Sequence, residues 1–160
     1  MKLPTTKEQA LSKLAGTCSR REQTESDLRE KLNLWKIDEE GQDFVIERLR
    51  AGNYINEERY AHAFVHDKFH FEGWGPVKIS YILWQKKIPK DYVNKALEQI
   101  SQEQWEDKLL ELMRRKAESL TNRTRREKKA AMMRFANSRG YEWEMSDAIT
   151  DRILNEDDHA

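Results

Sequence analysis

Apolar residues recur along this chain at three- and four-residue steps, with charged residues between them. Such spacing lays one apolar stripe along a helix. Thr5-Thr6-Lys7-Glu8-Gln9 opens the first helix, since either threonine has Glu or Gln three residues on, the capping-box pattern. Ala10, Leu14 and Cys18 then face one way. Thr24 to Asp27 cap a second helix with Leu28, Leu32 and Trp35 as its stripe. A third covers roughly residues 39–50, with Phe44, Val45 and Leu49 inward, and Gly52-Asn53 stops it.

Asn56 caps the next helix, on which Tyr60, Phe64 and Phe71 form the expected apolar stripe. Gly73-Trp74-Gly75-Pro76 is a short rigid turn, and Pro76 suits the first turn of the helix that follows. Val77, Tyr81, Trp84 and Ile88 then stand at i, i+4, i+7 and i+11, predicting one inward face. A helix over about 89–100 follows. Ser101 to Gln104 is another capping box, ahead of Trp105, Leu109, Leu112 and Met113. A break over 121–126 leads to a basic helix over about 124–138 with Ala131, Met132 and Phe135 inside. Arg139-Gly140-Tyr141 ends it, and a last helix carries Ala148, Ile149, Ile153 and Leu154.

These helices repeat. Leu28, Leu32 and Trp35 recur 49 positions later as Val77, Tyr81 and Trp84, and Leu11 and Ala15 recur at the same shift as Tyr60 and Phe64. Val45 and Leu49 recur one residue closer, as Val93 and Leu97. Trp105 and Leu109 echo Tyr60 and Phe64 at a shift of 45. The spacing predicts an all-α, elongated, curved array of three tandem three-helix repeats in one domain. Their expected bounds are 5–54, 55–100 and 101–155, with a frayed acidic tail over 155–160.

Composition agrees. Of 160 residues, 38% are hydrophobic and 36% charged, which suits amphipathic helices sharing a thin core. Cys18 is the only cysteine, so no intrachain disulfide forms, and its helical spacing reads as a buried thiol. No apolar run reaches membrane-spanning length, and MKLPTTKEQ lacks a signal-peptide core, so a soluble cytoplasmic protein is expected. The formal net charge of zero hides an asymmetry: residues 108–139 carry +8 and residues 140–160 carry −6. A polyanionic partner is therefore not excluded, because the local field matters.

Catalytic signatures are missing: the sequence has no P-loop, no dinucleotide fingerprint and no serine elbow. Neither enzymatic activity nor a cofactor is expected. His62, His66 and His70 stand one helical turn apart, but with no cysteine or second histidine pair to complete a site they read as a partner-facing or solvated stripe, with no metal. Basic residues are the stronger signal. Lys68, Lys78, Lys86 and Lys87 flank Trp74, and ten Lys and Arg crowd two helices of the third repeat. Such clusters bind phosphates or dock acidic protein surfaces; the alternative is a solvated face paired with the acidic tail. Trp74 is either an exposed anchor or a plug between repeats.

The stretch from Asn56 to Ile88 resembles the RecX family, bacterial regulators of the RecA recombinase. The matching residues are Glu58-Arg59-Tyr60-Ala61 with Phe64-Val65, Gly73-Trp74-Gly75-Pro76 with Lys78-Ile79, then Leu83 and Gln85-Lys86-Lys87-Ile88. Arg20-Arg21-Glu22 and the helix from Leu28 to Leu32 resemble the opening repeat of the same family. Ile82 departs from a usual glutamate, and Lys87 from a frequent glycine. The resemblance implies a non-enzymatic monomer that binds within the groove of the RecA–single-stranded DNA filament. It would inhibit extension, ATP hydrolysis, strand exchange and coprotease activity. The residues expected to contact the filament, and DNA directly or as part of it, are Arg59, Trp74, Lys78, Lys86 and Lys87, then Arg126, Lys129, Arg134 and Arg139. Arg59 can instead tether neighbouring helices. The rival reading is a helical module that binds nucleic acid directly through the basic third repeat.

Overall fold

The computed structural model describes residues 2–159. Nine helices and no strand occur among them: α1 (Lys7–Arg20), α2 (Glu25–Leu34), α3 (Glu39–Ala51), α4 (Glu57–Glu72), α5 (Pro76–Gln85), α6 (Lys90–Leu97), α7 (Gln102–Glu118), α8 (Arg125–Arg139) and α9 (Trp143–Asp158). Their starts follow from local chemistry. Thr6, Ser101 and Thr124 each close a capping box with the Gln or Glu three residues on. Thr24 and Asp38 accept from the backbone N–H groups of Asp27 and Gly41, and Asn56 from that of Arg59. Each cap satisfies an orphan donor of the first turn. The C-terminal acidic stretch is helical as far as Asp158, where α9 ends; Ala160 lies outside the described residues.

The all-α repeat is present, but its register differs from the expected one. The buried sets align at a shift of 51, not 49. Ala10, Leu14 and Cys18 correspond to Ala61, Val65 and Phe69; Leu28 and Leu32 to Ile79 and Leu83; Val45 and Leu49 to Ala96 and Ile100. In the third copy Trp105, Leu109 and Met113 follow Ala61, Val65 and Phe69 at 44. Backbone angles mark the same register. Lys36 (φ 58°), Lys87 (φ 61°) and Gly140 (φ 91°) are left-handed, and each precedes a buried residue, Ile37, Ile88 and Tyr141.

The two-residue offset matters because two residues are about 200° of helix rotation. Val77, Tyr81 and Trp84, expected inward, are 50%, 55% and 71% exposed, while Ile79 and Leu83 are fully buried. Phe71, assigned to the inward stripe of α4, is 78% exposed, and Ala148 on α9 is exposed too. Tyr60, Phe64, Leu112 and Phe135 are half-buried.

Two compact units are present. The first runs up to Ala63 and takes in Leu83–Ala96; the second takes Phe64–Ile82 and the chain from Leu97 on. The middle repeat thus contributes to both. Leu14, Leu28, Leu32, Val45 and Leu49 centre the core of the first unit, where α1 and α2 pack on α3. In the second, α7, α8 and α9 pack together, and Phe69, Trp105 and Tyr141 stack edge to face at centroid spacings of 4.9 and 6.3 Å. Cys18 is buried, and that burial, with Glu22 nearby, pushes its thiol pKa up, away from reactivity.

Candidate functional site

Among the residues expected to meet a partner, three gather at one joint in the second unit. The glycine turn between α4 and α5 lies against the end of α8 with no side chain between the backbones. A Cβ on Gly75 would lie 2.4 Å from the Gly140 carbonyl oxygen, and one on Gly140 would lie 2.2 Å from Lys78 Cβ. The backbone N–H groups of Gly75 and Val77 donate to the carbonyls of Arg139 and Gly140 at 2.6 and 2.9 Å. Arg139 Nη1 donates to the Glu72 carbonyl at 3.2 Å, and Lys78 Nζ to the Ser138 carbonyl at 3.3 Å. Tyr141 donates its hydroxyl to the Gly73 carbonyl at 3.1 Å. Burial pushes the Tyr141 phenol well above the usual tyrosine range.

Trp74 sits in this joint, half-buried. Its ring meets Phe64 edge to face at 6.2 Å, and Lys68 Nζ and Lys78 Nζ lie 4.7 and 4.3 Å from its centroid. Two cations on an indole are favourable ring-face contacts. Lys78 and Arg139 therefore help to hold the turn to α8, and Trp74 packs the turn onto α4 and Lys78.

Arg59 and Lys86 belong to the first unit and are tied down there. Arg59 Nε donates to Glu22 at 2.7 Å, and its Nη2 to the Asn53 carbonyl at 3.2 Å, which is the tethering geometry. Lys86 pairs with Asp27 at 2.9 Å and lies 6.0 Å from the Tyr60 ring centroid. Despite the opposing cost of burial, Asp27 and Tyr60 raise the Lys86 pKa. Lys87 is exposed and makes no ion pair among the described residues.

The basic third repeat divides into two sets. One is neutralised by α9. Lys129 Nζ bridges Asp147 at 3.0 Å and Asp151 at 2.9 Å, and Arg114 reaches Glu156 at 2.8 Å. Arg125 pairs with Asp158 and donates to Asn155 at 2.8 Å. Asp151 and Asp147 push the Lys129 pKa up, and Arg114 and Arg152 hold the Glu156 carboxyl below its usual range. The other set is open. Arg126 and Arg134 are exposed and make no ion pair among the described residues. Arg134 lines a shallow cavity of about 370 Å³ with Lys116, Arg123 and Phe135. Lys116 and Arg139 lie 5.6 and 5.1 Å from the Phe135 ring centroid.

The histidine stripe is exposed, and the rings of His66 and His70 lie 4.4 Å apart. No group of three or more metal-ligating side chains occurs among the described residues. Desolvation and the neighbouring His66 lower the His70 pKa. No helix among the described residues is long and apolar enough to cross a membrane.

Sequence reasoning missed two features. One is the outward face of α5, whose phase no residue type at its ends signalled, since Lys36 and Lys87 are not residues that favour a left-handed turn. The other is the bridging of Lys129 to Asp147 and Asp151; the pairs of Arg114 with Glu156 and Arg125 with Asp158 are the acidic-tail alternative the sequence offered.

Residues 56–97 match the family described as "RecX, second three-helix domain". A regulatory protein RecX of Clostridium botulinum strain Eklund 17B is 31% identical over 141 residues, which cover 87% of this chain and 66% of the relative. Its counterpart in strain Alaska E43 is 31% identical over 82% of this chain and 62% of its own length. This chain thus spans about two thirds or less of the length of these relatives. Two solved structures share the fold. One, a crystal structure of regulatory protein RecX, superposes with a TM-score of 0.83 at 23% identity, over 91% of this chain and 73% of that one. The other, RecX from Lactobacillus salivarius, gives 0.79 at 20% identity, over 91% of this chain and 95% of its own. By sequence likeness over most of its length, and by a repeat fold that agrees with it, the chain belongs to the RecX family.

Proposed function

We propose that this chain regulates RecA by binding the RecA–single-stranded DNA filament, with no catalytic step and no cofactor of its own. In that role it opposes filament extension and lowers ATP hydrolysis, strand exchange and coprotease activity, in the cytoplasm and as a monomer. Membership of the RecX family carries the reading. The division of cations refines the proposed contacts. Arg126 and Arg134 on α8 and Lys87 after α5 are free to meet carboxylates or phosphates. Arg59, Trp74, Lys78, Lys86, Lys129 and Arg139 act mainly by holding the elements that present them.

The test is DNA-dependent ATP hydrolysis by RecA at fixed single-stranded DNA, with this protein titrated in below the RecA concentration. Strong inhibition at a small fraction of RecA is expected. No inhibition at any ratio overturns the reading. A second reading, direct nucleic-acid binding, is favoured by one observation: Lys116, Arg123 and Arg134 line one open cavity. It predicts binding to a single-stranded oligonucleotide without RecA, falling steeply with salt as counterions are no longer released to advantage. Inhibition that sets in only once the protein coats the DNA would favour it.

A further inference from the structure

We propose that the outward face of α5 is a docking face for a protein partner, with Tyr81 and Trp84 as anchors seated in an apolar groove rimmed by carboxylates. The proposal rests on the reading above, in which that partner is RecA. The three exposed large apolar side chains of this helix, Val77, Tyr81 and Trp84, stand at i, i+4 and i+7. That spacing is how an amphipathic helix enters a groove.

The repeat supplies its own control. At the structural shift of 51, the same positions on α2 are Ser26, Glu30 and Asn33. At the shift of 53 that carries Ile79 to Met132 and Leu83 to Ala136, they are Ala130, Arg134 and Asn137 on α8. The fold therefore makes no demand for large apolar groups there. Two repeats keep the face polar or small, as solubility favours, and the middle one places a valine, a tyrosine and a tryptophan on it. Trp and Tyr are the residues that most often dominate interface energy, because they bury large area with few rotatable bonds.

Charge indicates what kind of surface covers it. From Gly73 to Lys90 the chain has four lysines and no acidic residue. Two of them, Lys78 and Lys86, are held within the fold. Lys87 and Lys90, just beyond the end of α5, are exposed and make no ion pair among the described residues. A groove with an apolar floor and acidic rim complements this arrangement, with the carboxylates setting orientation and the aromatics supplying most of the affinity.

The experiment compares the wild-type chain, the double variant Tyr81→Ser with Trp84→Ser, and the control Trp143→Ser, an exposed aromatic on α9 (69% exposed) outside the face. Circular dichroism and a thermal melt establish that all three fold alike, as expected for exposed positions. Each is titrated against RecA ATP hydrolysis on single-stranded DNA, and against a labelled oligonucleotide alone. The double variant should need about tenfold more protein or worse for half inhibition, while Trp143→Ser matches the wild type and neither changes oligonucleotide binding. Equal inhibition by wild type and double variant overturns the docking face and leaves RecA regulation standing. A double variant that loses oligonucleotide binding in proportion overturns it in favour of base stacking on the aromatics. A wild-type chain that never inhibits RecA overturns the regulatory reading, and with it the partner assigned here.

Discussion

Three residues in left-handed backbone conformation mark the ends of the middle helices, and they are not chemically alike. Gly140 adopts φ 91° without penalty, whereas Lys36 and Lys87 carry a Cβ at φ 58° and 61°. Replacing Lys36 by Gly should stabilise the fold by about 0.5–1 kcal/mol, relief of strain outweighing the added freedom of the unfolded chain. A denaturant titration measures it, and a loss of stability would mean that the lysine stem packs usefully. Tyr141 gives a pH test. Its folded pKa lies above the unfolded value, so its contribution to stability is full below the ordinary tyrosine range near 10 and is lost as pH rises above it. Phenolate absorbance should therefore show Tyr141, one of five tyrosines, silent until the protein unfolds in alkali. A Tyr141→Phe variant, losing the bond to the Gly73 carbonyl, should be about 1 kcal/mol less stable at neutral pH and less sensitive to alkali.

At the scale of helices, the starting caps and the all-α class were legible in the sequence because both are local. Thr6, Thr24, Ser101 and Thr124 cap where the spacing of oxygen and helix predicts. Phase was harder to read. Aligning Trp35 with Trp84 gave weight to a residue that is half-buried in one copy and exposed in the other. Small residues such as Ala61 and Ala96 hold core positions without announcing it. The fate of the cations was legible only as alternatives, a tethering Arg59 and a basic face paired with the acidic tail, because the partners lie far off in sequence: Arg59 meets Glu22 across 37 residues, and Lys86 meets Asp27 across 59. Only folding brings them together, and only then do tethering cations separate from open ones. The joint at Gly140 offers the sharpest test at this scale. Gly140→Ala would strain a left-handed backbone and drive a methyl into Lys78, and should cost about 2–4 kcal/mol, read as a lower denaturation midpoint. An unchanged midpoint would mean that the two backbones are not in contact.

For the whole molecule, a net charge of zero conceals a basic stretch and an acidic one that follow each other in the last third of the chain. The carboxylates of α9 occupy Arg114, Arg125 and Lys129, so much of the basic field is neutralised internally. Replacing Asp147 and Asp151 by Asn should tighten binding to a single-stranded oligonucleotide several-fold at low salt, and the gain should shrink as salt screens the freed lysine. Removing 155–160 should act in the same direction through Arg114 and Arg125. Unchanged affinity in both variants would exclude masking. The meeting of the glycine turn with the end of α8 has a further consequence. The innermost bonds of that seam join peptide groups, which have no rotamers, so they have less room to loosen by degrees than the Lys78, Arg139 and Tyr141 side-chain bonds around them. The amide protons of Gly75 and Val77, both held by carbonyls of α8's final turn and its cap, should therefore exchange with solvent in step, reporting a single opening event.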